Sequence, residues 1–472
     1  MPDSEVLATL LRLRQVVSAM GEQIAAGPVS EPQTVAEVRA RISGLFDLSR
    51  PSSPDELVER IVERLAADTV QVTHPRYFGL FNPAVPPITV VADALVAMFN
   101  PQLAAWEHSP AAQEMERLVL GALGGLVGLD LDGGMAHFTS GGAEANGTAT
   151  LAALVAAFPD LPETGLRALP AQPTLYLSGQ AHDTFVKIAV ASGLGRRAVR
   201  RVPVDDDFRM DVAALRDQLR RDRARGEQPF LVVATAGTTS TGVIDPLESI
   251  LEVAREQHVW MHADAAWGGG ALLSERLRPA LVGIERADSM TWDAHKWLSV
   301  PMAAGMFFSR RPEAVRAAFD VQATYVPPSP AGADDPYTVS WQWSRRFIGL
   351  KVFMALAEVG LPGYAERVEH QAAMGDRLRE RLRESGWLLC NRTPLPLVCF
   401  SHPRIESGGA TASELVARVI ASGQAWASTI RLPSGSEVVR ACVCNYRTGP
   451  DDIDALVRTF DTALSAAGSS GP

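Results

Sequence analysis

The runs Val259-Trp260-Met261-His262-Ala263-Asp264-Ala265-Ala266-Trp267-Gly268-Gly269 and Ser289-Met290-Thr291-Trp292-Asp293-Ala294-His295-Lys296-Trp297 decide how this chain is read. Each opens as a short apolar stretch and closes on polar groups able to do chemistry: Asp264 in the first, and Asp293, His295 and Lys296 in the second. Apolar runs of the same kind stand at 174–177, 230–235 and 305–309, alternating with helical patterns from about residue 115 to 310. That alternation predicts an α/β fold, a mostly parallel sheet covered by helices. In such sheets reactive groups collect beyond the carboxyl ends of the strands. His182 follows the first run, residues 235–239 the second, Asp264 the third, and His295 with Lys296 the fourth.

A lysine amine can form an imine with an aldehyde, and a carboxylate can hold a pyridine nitrogen protonated, so that the ring draws electrons from a substrate's α-carbon. A pyridoxal 5'-phosphate cofactor needs both groups. Lys296 sits between His295 and Trp297 directly after an apolar run, where a merely solvated surface lysine is out of place. Strand alternation points Asp264 into the same space as His262. A metal site using these two residues lacks a third ligand. Ala265 and Ala266 are small, as residues must be where a flat ring lies against the backbone. His182 is a candidate to stack on the ring and to meet the substrate carboxylate or a proton in transit.

Thr139-Ser140-Gly141-Gly142-Ala143-Glu144-Ala145-Asn146 opens an alanine-rich run, so the amides of Gly141, Gly142 and Ala143 are expected at a helix N-terminus facing the phosphate. Thr238 and Thr239 either bond the cofactor or close a tight loop.

The rest of the chain bounds these expectations. At 472 residues it is too long for one compact core, and 47% hydrophobic residues supply ample interior. A formal net charge of −10 without a basic run argues against nucleic acid or an anionic membrane surface as partner. Cys390, Cys399, Cys442 and Cys444 lack the paired spacing of a zinc site, and Cys442 with Cys444 reads as two strand residues facing one way. No signal-peptide pattern or membrane-spanning run is visible, and a cytoplasmic enzyme is expected. An N-terminal helical segment is predicted for 1–85, with one helix over 4–26 and another started by Ser53-Pro54-Asp55-Glu56; this arm could pack on its own chain or on a partner. A large cofactor domain is predicted for 86–320, a mobile loop rich in Pro, Gly and Asp for 321–343, and a smaller α+β domain for 344–472 that begins with a long helix at about 344.

Taken together, these motifs resemble the group II pyridoxal-phosphate-dependent decarboxylases, which include aromatic amino acid, histidine and glutamate decarboxylases. The likeness runs through His74-Pro75-Arg76-Tyr77-Phe78-Gly79, Ser109-Pro110-Ala111-Ala112 to Glu116, Thr139 to Asn146, His182, Gly237-Thr238-Thr239, His262 to Gly269, Ala287 to Trp297, and Ser344-Arg345-Arg346-Phe347 to Lys351. The resemblance implies a type I (aspartate aminotransferase-like) fold, a homodimer with active sites at the subunit interface, and loss of the α-carboxylate as CO2. It implies Lys296 as imine partner, Asp264 on the pyridine nitrogen and His182 stacked on the ring. Ala266, Gly141, Gly142, Ala143, Thr239, Asp293, His295 and Ser344 complete the implied cofactor set. Tyr337 corresponds to a loop tyrosine that returns a proton to the α-carbon, reaching into the partner's site. Phe81, Asn82, Pro83, Phe99 and Trp106 are expected at the substrate mouth. No arginine other than Arg76 accompanies those segments, which disfavours an acidic side chain, while Gln102-Leu103-Ala104-Ala105 lacks the bulky apolar residue and phenylalanine that the resemblance implies for aromatic substrates. An aromatic or other apolar amino acid is the expectation. Oxidative deamination, transamination, carbon–carbon cleavage on the same scaffold and a non-catalytic relative are the alternatives.

Overall fold

The computed structural model describes residues 4–468, except 322, 327–329 and 331. The described chain divides into two compact units, one of residues 85–375 with 391–398, the other of 1–84, 376–390 and 399–472.

The first unit is built on a seven-stranded sheet of β1 (Met135–Thr139), β2 (Pro173–Ser178), β3 (Val199–Val202), β4 (Gln228–Thr235), β5 (Trp260–Asp264), β6 (Ser289–Asp293) and β7 (Gly305–Ser309), in the order β1-β7-β6-β5-β4-β2-β3. Strands β3, β2, β4, β5 and β6 pair in parallel, while β7 runs antiparallel to both β6 and β1. β2, β5, β6 and β7 are buried along their whole length, so that their polar members, among them His262, Asp264, Ser289 and Thr291, are enclosed with the apolar ones. All five runs picked out in the sequence are strands. β1 and β3 were not among them. They are the two edges of the sheet, and β3, Val-Arg-Arg-Val, is only partly buried.

The alanine-rich run forms the Gly142–Ala157 helix. Ala145, Ala149, Ala152 and Ala153 lie in the same core as Leu175, Leu177, Phe230, Val233 and Phe307. Small side chains allow the helix backbone to come close to the sheet, so polar groups on its first turns can reach strand residues directly.

The long helix begins at Gly349 rather than near 344 and runs to Glu384, broken at Gly360 (φ 66°) ahead of Pro362. Its later start has a tertiary cause: Gly349 N donates to Glu116 Oε1 (2.9 Å), and the preceding Arg345 is buried with its guanidinium on Glu116 Oε2 (2.6 Å) and on the Phe138 carbonyl (3.2 Å).

In the second unit the Ser4–Ala26 helix and the Pro54–Asp68 helix form as predicted, the latter capped by Ser53 Oγ accepting from Glu56 N (3.2 Å). A four-stranded sheet of β8 (Leu388–Leu389), β9 (Leu397–Ser401), β10 (Ser428–Arg431) and β11 (Glu437–Cys442) has the order β10-β11-β9-β8. Cys442 ends β11; Cys444 lies just beyond it, and both are buried. Among the described residues no helix is long and apolar enough to cross a membrane.

Candidate active site

Parallel pairing of β4, β5 and β6 brings Thr235, Asp264 and Thr291 into one row, with Asp264 the last residue of its strand. The Asp264 carboxylate is buried. Its Oδ2 accepts from Asn146 Nδ2 (3.0 Å), its Oδ1 from the Ala266 amide (3.2 Å), and no lysine, arginine or charged histidine pairs with it among the described residues. Burying a carboxylate without a counter-cation is costly, so a cationic partner is what this position lacks. His262, two residues earlier, faces the same cluster: Nε2 lies 3.0 Å from Asn146 Oδ1 and Nδ1 lies 2.8 Å from Ser289 Oγ. Complete burial pushes this imidazole down to about 4, and it is therefore neutral at pH 7.

At the end of β6 the chain turns through Ala294, and Lys296 Nζ comes 3.0 Å from Asp293 Oδ2, with His295 Nε2 at 3.6 Å from the same oxygen. The His295 ring is held by Nδ1 accepting from the Ala304 amide (3.0 Å); burial lowers its pKa against the pull of Asp293. The second carboxylate oxygen of Asp293, Oδ1, is buried and has no hydrogen-bond partner in the structure. The start of the alanine-rich helix closes on this group. A Cβ at Gly142 would stand 3.0 Å from Asp293 Oδ2 and 3.2 Å from the Ala266 Cβ, and one at Gly141 would stand 3.4 Å from His295 Cε1. Gly305, opposite Thr139 in the β1–β7 pairing, has Gly141 Cα only 2.6 Å from where its own Cβ would be. Glycine at these positions is what allows the helix start, the strand end and the lysine turn to meet.

Lys296, Asp264, Ala266, Asp293, His295, Gly141 and Gly142 are thus brought together, with Ala143 exposed on the helix's first turn. His182 lies in the exposed turn after β2, its Nδ1 accepting from the Thr184 amide (3.2 Å). Thr239 is half-buried in the loop after β4, and its neighbour Thr238 closes that loop: Thr238 Oγ1 meets Thr241 Oγ1 (2.8 Å) and accepts from the Val243 amide (3.1 Å). Tyr337 is buried with its ring 4.8 Å from that of Trp343, and its amide donates to the Ala104 carbonyl (3.2 Å). The adjoining Asp335 Oδ1 accepts from the Trp106 amide (2.8 Å), so the segment carrying Tyr337 is tied to residues 104–106. Phe99 is exposed at the end of its helix, and Ser344 is exposed beside Asn100 and Gln102. Phe81, Asn82 and Pro83 belong to the second unit, where Phe81 is buried beneath the Arg440 guanidinium (5.2 Å).

Sequence reasoning gave no role to Asn146, Thr291 or Ser289. Asn146 carried the one available signal: an amide in the middle of a buried alanine helix demands partners.

The donor set suits pyridoxal phosphate: a buried carboxylate lacking a cation for the pyridine nitrogen, an amine for the aldehyde, and a glycine-lined helix start for the phosphate. The profile of the pyridoxal-dependent decarboxylase conserved domain matches residues 41–402. The chain belongs to that family. It is a pyridoxal-phosphate-dependent amino acid decarboxylase, a carboxy-lyase. Similar relatives include the aromatic-L-amino-acid decarboxylase of Bacillus atrophaeus, 28% identical over 411 residues that make up 85% of this chain and 84% of the relative. The L-2,4-diaminobutyrate decarboxylase of Rhizobium meliloti (strain 1021) is 37% identical over 324 residues, 67% of this chain and 63% of the relative. Among solved structures, mouse CSAD superposes with a TM-score of 0.91 at 28% identity, over 98% of this chain and 99% of that one. The decarboxylase therefore has the type I fold expected from its motifs.

Proposed function

We propose that this decarboxylase acts on an aromatic or other apolar L-amino acid, as a cytoplasmic homodimer with active sites at the subunit interface. In this reading the bound cofactor supplies an electron sink for the bond broken at the α-carbon. Lys296 holds it through its amine, Asp264 holds the proton on the pyridine nitrogen, and His182 stacks on the ring. The amides of Gly141, Gly142 and Ala143, with His295, hold its phosphate, and Thr239, Asp293 and Ser344 complete the contacts to the cofactor. Ala266 leaves room for the ring.

The observation that carries the cofactor assignment is the buried Asp264 carboxylate, held by neutral donors only. For the substrate, the support is the segment 99–106 and its partner at 335–337. Tyr337 stands beside Ala104, a small residue, and Trp106 is half-buried next to it. Neither segment itself contains lysine or arginine, and of the two arginines lining the cavity beside Asn100 and Gln102, Arg345 is taken up by Glu116 and Arg346 by Asp93. The buried Leu103, Ala104 and Ala105 would help strip water from the substrate's carboxylate, which favours its departure as neutral CO2. Tyr337 then delivers the proton to the α-carbon.

Purified enzyme with pyridoxal phosphate, offered phenylalanine, tyrosine, tryptophan, 2,4-diaminobutyrate, aspartate, glutamate and cysteine sulfinate, is expected to release CO2 and the matching amine fastest from an aromatic substrate. Preference for an acidic or cationic side chain overturns the substrate class, and aldehyde with ammonia in place of amine overturns simple decarboxylation. Borohydride reduction should fix label at Lys296 and leave Lys296→Ala unlabelled.

A further inference from the structure

The hydrogen bonds around Asn146 run in one direction. Its Oδ1 is an acceptor only, so His262 Nε2, 3.0 Å away, must carry the proton. A neutral imidazole protonated at Nε2 leaves Nδ1 to accept from the Ser289 hydroxyl (2.8 Å), whose oxygen in turn accepts from Trp260 Nε1 (2.8 Å). Thr291 Oγ1 donates to the same Asn146 oxygen (2.7 Å). With Oδ1 filled from that side, Nδ2 is directed at Asp264 Oδ2 (3.0 Å). Turning the amide over would set its oxygen against the Asp264 carboxylate oxygen, two acceptors face to face. All six side chains are buried, and the chain of donors begins at an indole and ends at Asp264.

We propose that Asn146 is a positioning residue for the cofactor: it fixes the orientation of the Asp264 carboxylate and, being unable to accept Asp264's proton or to compete for it, keeps the full negative charge facing the pyridine nitrogen. The inference rests on Asp264 being the pyridine partner. His262, Thr291 and Ser289 act behind Asn146 by dictating which end of its amide faces the carboxylate. The titratable groups facing residue 146 are His262 and Asp264; Asp293, Lys296 and His295 surround the start of the same helix at Gly141 and Gly142.

Two variants separate this from a packing role. Asn146→Leu removes the donor, and loss of a hydrogen bond to a charged group should weaken pyridoxal-phosphate retention roughly ten- to hundredfold. Asn146→Asp keeps the shape and the acceptor toward His262, but sets two carboxylates side by side. They share one proton on the acid side of neutrality, where the pair imitates the native bond, and repel once it leaves. The measurements are cofactor dissociation from the holoenzyme and the nitrogen NMR shift of 15N-labelled pyridoxal phosphate, which reports ring protonation. Wild type is expected to keep a protonated ring from neutral to alkaline pH. Asn146→Asp sets a second anion beside the ring nitrogen as pH rises, so its ring proton is expected to persist as in wild type, while the Asp264 carboxylate, repelled from residue 146 and no longer held, releases the cofactor progressively faster with rising pH. Cofactor dissociation from Asn146→Asp that is as insensitive to pH as in the wild type overturns the proposal, even if Asn146→Leu fails to fold. If the wild-type ring is unprotonated, or Asp264→Asn leaves its signal unchanged, the Asp264 assignment itself falls and this inference with it.

Discussion

At the scale of single residues, the site is a set of groups whose charge is left incomplete by the protein. Among the described residues Asp264 has two neutral donors and no cation, and Asp293 has one oxygen on Lys296 and one with no hydrogen-bond partner. Replacing Asp264 by asparagine keeps the shape and removes the charge that opposes the pyridine proton. The rate of CO2 release should fall on the order of a thousandfold or more, an effect of several kcal/mol. Near-normal single-turnover rates in Asp264→Asn would remove Asp264 from the role given to it. The clustered residues Asp264, Asp293, His295 and Lys296 were legible as candidates because they stand at the ends of strand-forming runs. Asn146 was not, because its partners Asp264, His262 and Thr291 are more than a hundred positions away and meet it only when the helix lies on the sheet.

At the scale of elements, one buried ion pair organises the approach to the site. Arg345 joins Glu116, on the Pro110–Gly124 helix, to the edge strand β1 through the Phe138 carbonyl, and Glu116 also takes the first amide of the Gly349–Glu384 helix. Burial raises the Glu116 carboxyl against the opposing pull of Arg345. Arg345→Met would leave that carboxylate buried and unpaired, a loss of roughly 3–5 kcal/mol. Urea unfolding of the variant should show it as a lower midpoint with an unchanged slope; a midpoint within error of wild type would mean that the pair contributes little. The sequence pattern suggested a helix from about 344 because helical periodicity says nothing of a carboxylate arriving from another element. The edge strand β3 escaped notice for a related reason: Val-Arg-Arg-Val is only partly buried and lacks the apolar character of a strand such as β7.

At the scale of the whole molecule, buried titratable groups set how stability follows pH. Burial holds His262 and His137 down at about 4, against 6.5 for a free histidine. Each is neutral in the folded chain but takes up a proton on unfolding, so stability is lost as pH falls from 6.5 to 4, up to roughly 3 kcal/mol per histidine. Asp245, raised by burial from 3.8 to about 6, acts in the opposite sense, since it binds its proton more readily when folded. His137→Phe, at a position already packed on the Phe307 ring (5.3 Å), should remove one proton from the acid side of this balance. Between pH 7.5 and 4.5 the variant is then expected to lose less unfolding free energy in urea than wild type, by up to about 3 kcal/mol; parallel losses would show that His137 does not titrate with unfolding. Local pattern alone determined the sheet's central strands, the alanine helix, the lysine and the two acids, because burial on both faces and the end of an apolar run leave their mark on neighbouring residues. Only tertiary structure decided the antiparallel β7, the start of the long helix and the amide that grips Asp264, because each depends on hydrogen bonds between segments whose distance in the chain carries no periodic signal.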